Sequence, residues 1–158
     1  MKKTTNVKFA GLGGQGILTC TDILGRVVFN RGFDVKKAEV HGMSQRGGAI
    51  TSDLRYGEKV LSPMIPTGDA DYLVVLAEDQ IPVNQHQLKK DGVLVTPSDF
   101  PMEQLTNKRT LNVALLGALS KHMEFPVDQW LEAIRQLLPQ RLHEVNEAAF
   151  ALGRGTAA

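Results

Sequence analysis

The residues most able to do chemistry in this chain fall in two short segments. Gly11-Leu12-Gly13-Gly14-Gln15-Gly16 fits the pattern G-x-G-x-x-G, between an apolar strand-like stretch and a helical one. Glycines there permit a tight turn and close backbone approach. The helix that follows would aim unpaired N–H groups at a phosphate or carboxylate. The second segment, Val40-His41-Gly42-Met43-Ser44-Gln45-Arg46-Gly47-Gly48, sets His41, Ser44, Gln45 and Arg46 between glycines. Arg46 can grip a carboxylate or phosphate through two parallel hydrogen bonds, and Gly47-Gly48 can form a backbone nest beside it.

Neither segment settles its own reading. A dinucleotide fingerprint also needs an acidic residue about 20 positions on. That neighbourhood holds Lys36, Lys37 and Glu39. Glu39 suits a ribose and the lysines suit a 2′-phosphate, while a pure packing role for the glycines stays open. His41 and Ser44 have no evident carboxylate to orient the imidazole, so a hydrolytic triad is not expected. The polar loop therefore reads as contact with a ligand or with a partner chain.

The elements that must position these segments follow from periodicity. Val7–Leu12 reads as a strand. Ile17, Cys20, Leu24 and Val27 share one face of a helix ending near Gly32, and Phe33–Val40 reads as a second strand. This order is a βαβ unit, the building block of parallel sheets. Ala49–Tyr56 alternates, with Ile50, Leu54 and Tyr56 opposite Thr51, Asp53 and Arg55. Its polar face is expected to be solvated or covered by a partner, and Gly57-Glu58 is expected to turn a hairpin into Lys59-Val60-Leu61. Tyr72–Ala77 and Gly92–Val95 are unbroken apolar runs, as in strands buried on both faces.

The C-terminal third is helical. Three stripes carry it: Val113, Leu116, Leu119 and Met123; then Val127, Trp130, Leu131, Ile134, Leu137 and Leu138; then Leu142, Val145, Ala149 and Leu152. Pro126 opens the second, and Gly153 reads as the stop of the third. The expected fold class is α/β, doubly wound, a mainly parallel sheet with a β-hairpin and a helical C-terminal region. Residues 1–158 are expected to form a single domain.

Composition excludes several function classes. Lys and Arg number 18 against 17 Asp and Glu, a net charge of +1, so the footprint of a nucleic-acid or anionic-membrane binder is missing. The single cysteine, Cys20, allows no internal disulfide and no cysteine-built zinc or iron–sulfur site. No run approaches the roughly 18 apolar residues of a membrane span. The expectation is a cytoplasmic protein that binds neither nucleic acid nor membrane.

With these segments in place, the sequence resembles the gamma subunit of 2-oxoacid:ferredoxin oxidoreductases. The residues that carry the likeness are Gly11–Ile17, Glu39–Gly48 and Ser62-Pro63-Met64-Ile65-Pro66, with Asn112–Ala118 and Asn146–Phe150 followed by Gly153. The resemblance implies a Rossmann-like domain inside a complex that oxidatively decarboxylates a 2-oxoacid such as pyruvate, ketoisovalerate, 2-oxoglutarate or indolepyruvate. Electrons pass to ferredoxin and the acyl group to coenzyme A. Thiamine diphosphate and iron–sulfur clusters are implied in partner subunits. This chain is then a non-autonomous part without catalytic or metal-binding residues of its own. It would shape the coenzyme A side of the site through Gly11, Gly13, Gly14, Gln15, Gly16, His41, Ser44, Gln45 and Arg46.

The sequence agrees that the chemistry lies elsewhere. Gly68-Asp69-Ala70 only approximates the Gly-Asp-Gly that resemblance associates with thiamine diphosphate, and no asparagine pair follows it. A chain without the motifs that hold the reactive cofactors is a supporting part. The alternatives are a stand-alone nucleotide-binding regulatory module and a structural spacer, and the isolated chain is a candidate homodimer.

Overall fold

A computed structural model describes residues 3–42 and 47–156. β1 (Thr5–Leu12) leads through the glycine turn into α1 (Ile17–Asn30), then β2 (Asp34–His41) and β3 (Ala49–Gly57). A helix-free strap leads to β4 (Ala70–Val75), the one-turn α2 (Ile81–Asn84) and β5 (Leu88–Val95). Three helices close the chain: α3 (Leu111–Ser120), α4 (Val127–Leu137) and α5 (His143–Arg154).

The strands form one sheet in the order β2-β3-β1-β4-β5. β3 runs antiparallel to both neighbours, while β1, β4 and β5 are parallel. β2 therefore points the same way as β1, and four of the five strands share a direction. The expected βαβ unit is split, because β3 inserts between β1 and β2. The hairpin is also displaced by one strand from its expected position. β2 and β3 form it, with register from Asp34↔Gly57 to His41↔Ile50, and Lys59–Leu61 is not a strand. The chain that joins these two strands is thus the polar segment after His41, and Gly57-Glu58 instead leads the chain away from the sheet.

Alternation along β1 explains the two layers. Val7 and Phe9 point into the main core, where α1, α3, α4 and α5 pack; Ala10 points to the other face. That face holds a small cluster of Ala10, Leu73 and Val75, covered by Ile81, Leu88 and Leu94. Crossovers of one hand that leave the sheet centre in opposite directions lie on opposite faces. α1 and the short α2 segment do so, which makes the sheet doubly wound with unequal covers. β5 is an edge strand and only partly buried, yet both its faces are covered: Val93 and Val95 pack on the main core, and Leu88 and Leu94 on the smaller cluster.

α3 is buried at nine of its ten positions, and α5 crosses it at two glycines. A Cβ on Gly117 would collide with the Phe150 carbonyl, and one on Gly153 with the Ala114 carbonyl. Gly153 thus lies inside α5 as a packing contact, and the helix stops at Gly155 in the left-handed conformation (φ 85°). The buried face of α5 is Asn146, Ala149, Phe150 and Gly153. Leu142, Val145 and Leu152 are only half-buried, so the true stripe lies to one side of the expected one.

The polar face of β3 is neither solvated nor free. Asp53 pairs with Lys8 at 2.6 Å, both side chains buried, and Asp53 also accepts from the Ile65 amide at 3.0 Å. Arg55 donates to the Ser62 carbonyl at 2.9 Å and to Asn6 Oδ1 at 2.8 Å. The strap Ser62–Ile65 therefore covers this face from within the chain. Ile65 tucks in at 5% exposure, whereas Met64 stays half exposed.

Candidate functional site

The C-terminal ends of β1, β2, β4 and β5 lie along one rim of the sheet, where α/β folds place their ligands. β1 feeds α1 on one face and β4 feeds the α2 segment on the other, so the switch point lies between β1 and β4. The glycine turn sits there.

Its geometry is specific. Gly14 and Gly16 take left-handed φ values of 87° and 79°. Gly16 caps α1 without a side-chain partner, and no acidic residue occupies the first turn, so the helix leaves amide donors free for an anion. Gln15 braces the turn: its Oε1 accepts from the Leu12 amide at 2.7 Å and would crowd a Cβ on Gly11. Gly13 serves close approach. Its amide donates to the Gly48 carbonyl at 2.9 Å, and a Cβ there would lie 3.3 Å from the Gly47 nitrogen. The two polar segments are thereby joined backbone to backbone.

A cavity of about 90 Å³ marks the junction, lined by Gly13, His41, Gly42, Gly47 and Gly48 among others. It is open to solvent and has room for one small anionic group at its base. His41 is exposed, with Nε2 3.4 Å from Glu39 Oε2. The carboxylate that the spacing did not reveal is thus two residues back on the same face of β2. Ser44, Gln45 and Arg46 lie outside the described residues.

Strand order bears on the dinucleotide reading. An acidic residue can meet a ribose held at the first glycine turn when its strand neighbours β1. Here β3 intervenes, and two strand spacings put β2 about 10 Å from β1. Glu39 is also engaged with His41. The fingerprint is present without the acidic partner it needs.

Asn112, at the start of α3, belongs to the turn although its chemistry gave no sign of it. Its Nδ2 donates to the Gly16 carbonyl at 3.2 Å, and its own carbonyl accepts from the Cys20 thiol at 3.3 Å. Asn112 Oδ1 is buried without a partner. Only its place in the run Asn112–Ala118 could have drawn attention to it. Cys20 is fully buried, and burial pushes its thiol well above the ordinary range, so it packs and does not react.

The described residues do not fit the reactive cofactors. Asp69 sits in a turn, its amide donating to the Pro66 carbonyl and its own carbonyl accepting from Asn6. That geometry assembles no diphosphate–cation cradle, and a single buried cysteine cannot hold a cluster.

The family model for pyruvate ferredoxin/flavodoxin oxidoreductase matches residues 6–156. The chain belongs to this family. The indolepyruvate oxidoreductase subunit IorB of Thermococcus kodakarensis is 33% identical, the match covering 96% of this chain and 95% of that one. The fold is shared with a keto/oxoacid ferredoxin oxidoreductase gamma subunit from Geobacter sulfurreducens. That likeness has TM-score 0.80 and 22% identity and covers 97% and 98% of the two chains. It is also shared with a 2-oxoglutarate:ferredoxin oxidoreductase from Magnetococcus marinus, solved with 2-oxoglutarate, coenzyme A and succinyl-CoA bound. There the TM-score is 0.84 at 19% identity, over 99% of this chain and 31% of that one. This family member is a gamma-type subunit of a 2-oxoacid:ferredoxin oxidoreductase.

Proposed function

We propose that this subunit presents its glycine turn and the His41–Gly48 loop to the active-site cleft of a thiamine diphosphate- and iron–sulfur-bearing partner, where they position the acyl acceptor coenzyme A. The observation that carries this reading is the Gly13–Gly48 hydrogen bond, which fuses two anion-capable backbones into one small cavity at the switch point. Coenzyme A carries phosphates, and a helix N-terminus together with the arginine of the loop would orient them before the thioester forms, lowering the entropic cost of the encounter. The coenzyme A in the 2-oxoglutarate:ferredoxin oxidoreductase, which contains this fold as part of a longer chain, supports the choice of ligand. A cavity for one anionic group suits a phosphate held at a subunit boundary better than a whole ligand enclosed by one chain.

The test is steady-state kinetics of the intact complex. Arg46→Ala should raise the apparent KM for coenzyme A about tenfold or more, the loss of one charge-assisted contact, while the KM for the 2-oxoacid holds. Gly13→Ala should act in the same direction by separating the two loops. An unchanged coenzyme A dependence in a normally assembled complex overturns the ligand role and leaves the segment as a structural contact.

A further inference from the structure

The two edges of the sheet are built differently. On the β5 edge, the pairing with β4 shifts register between Ala70 and Tyr72. Such irregularity protects an edge from further pairing, whereas charge does not distinguish the two edges, because β2 carries Asp34, Lys36, Lys37 and Glu39. β2 has neither a register shift nor a proline. It pairs without interruption from Asp34 to His41 on its inner side, and its outer side has no strand neighbour among the described residues. Val40 on it is 51% exposed.

We infer that β2 is a self-association edge, which pairs antiparallel with β2 of a second copy of this chain about a two-fold axis at Ala38. The sequence of the strand selects both the occupant and the register. Outward-facing amides alternate along a strand, so two copies using the same edge can only centre their pairing on a residue, never between two. The longest registers available to an eight-residue strand centre on Lys37 or Ala38. Centring on Lys37 opposes that lysine to itself, and like charges directly opposite are destabilising. Centring on Ala38 opposes Lys37 to Glu39 of the second copy, twice by symmetry. It also opposes Val35 to His41 and Lys36 to Val40. Two opposite-charge pairs then flank a small alanine at the axis, which is the reciprocal arrangement an isologous interface requires.

The surroundings fit the same partner. Lys37 and Glu39 share the α1 face of the sheet, where Lys37 already pairs with Asp22 of α1. A groove of about 530 Å³ runs along this edge, its lining including Val35, Phe29 and Leu137. Phe29 on its rim is 62% exposed. Joining two sheets at β2 brings two α1 helices together over that groove and gives Phe29 an apolar neighbour. Because the inference rests on β2 and α1 alone, it does not depend on the coenzyme A reading.

Light scattering during size exclusion of the full chain decides the matter. The wild-type chain should elute at twice the chain mass. Lys37→Glu and Glu39→Lys should each shift it to the chain mass, and the double exchange should restore the dimer, because the same reciprocal pairs re-form with reversed signs. Ala38→Lys, which leaves both charges in place and sets two lysines at the axis, should also give a monomer. Circular dichroism guards against unfolded variants. A monomeric wild type overturns the inference, and so does a dimer indifferent to the single charge reversals.

Discussion

At the residue scale, the molecule separates groups that titrate from groups that hold. Tyr56 is the clearest titrating case. Its ring packs against Phe33 and Phe125, with centroids 5.5 and 5.9 Å away, and burial pushes its phenol up to about 12. The unfolded chain ionises near 10, so the fold favours the neutral phenol. That stabilisation is complete below about pH 10 and is lost as pH rises from there through about 12. Tyr56→Phe keeps the ring and removes the ionisable group, so its alkaline unfolding midpoint, followed by Trp130 fluorescence, should move to higher pH. An unmoved midpoint would assign alkaline unfolding to another group, with Tyr72, raised by burial in the same way, the next to test. Asn112 and Gln15 are holding groups, whose hydrogen bonds keep the glycine turn in the shape that leaves the α1 amides open.

At the element scale, Asp53 fastens the strap to the sheet, accepting from the Ile65 amide while it pairs with Lys8 of β1. Removing one partner of a buried pair leaves an uncompensated charge, at a cost of about 3–5 kcal/mol. Asp53→Ala should approach that loss in urea denaturation, since it strands Lys8 and also frees the Ile65 amide. A loss below about 1 kcal/mol would mean that Lys8 reaches water when Asp53 is absent, as exposed pairs do. Much of the element pattern was legible beforehand: β1, the glycine turn, α1 and the alternating β3 stand where periodicity puts them. The strand after Gly57 was not, because a short apolar run reads alike as strand or strap. Whether it pairs depends on the polar face of β3 capturing its backbone. Gly153 misled for a related reason. A glycine near a helix end suits either a stop or a close crossing, and only the position of α3 distinguishes them.

At the scale of the whole molecule, this subunit has a core of its own, and its single cysteine cannot hold an iron–sulfur cluster. It should turn over no 2-oxoacid alone, and activity should return only with its partners. Affinity capture from its native extract tests the proposed partner. A larger, cysteine-rich, thiamine-binding chain should elute with it and bring iron–sulfur absorbance. Recovery of a colourless, partnerless chain under conditions that preserve related complexes would count against the partner proposal.

The sequence by itself determined the α/β elements, the glycine turn and the polar loop, and its single cysteine excludes a cysteine-built cluster. Those conclusions rest on residue type, count and local spacing, which folding does not alter. The tertiary structure decided what depends on contacts between distant residues. It inserted β3 between β1 and β2, which carried Glu39 away from the glycine turn. It joined Gly13 to Gly48, seated Asn112 beneath Gly16, and folded the strap over the Lys8–Asp53 pair. Each is a choice of neighbour, set by which strand edges and polar groups find partners across long stretches of chain, and no local pattern encodes that choice.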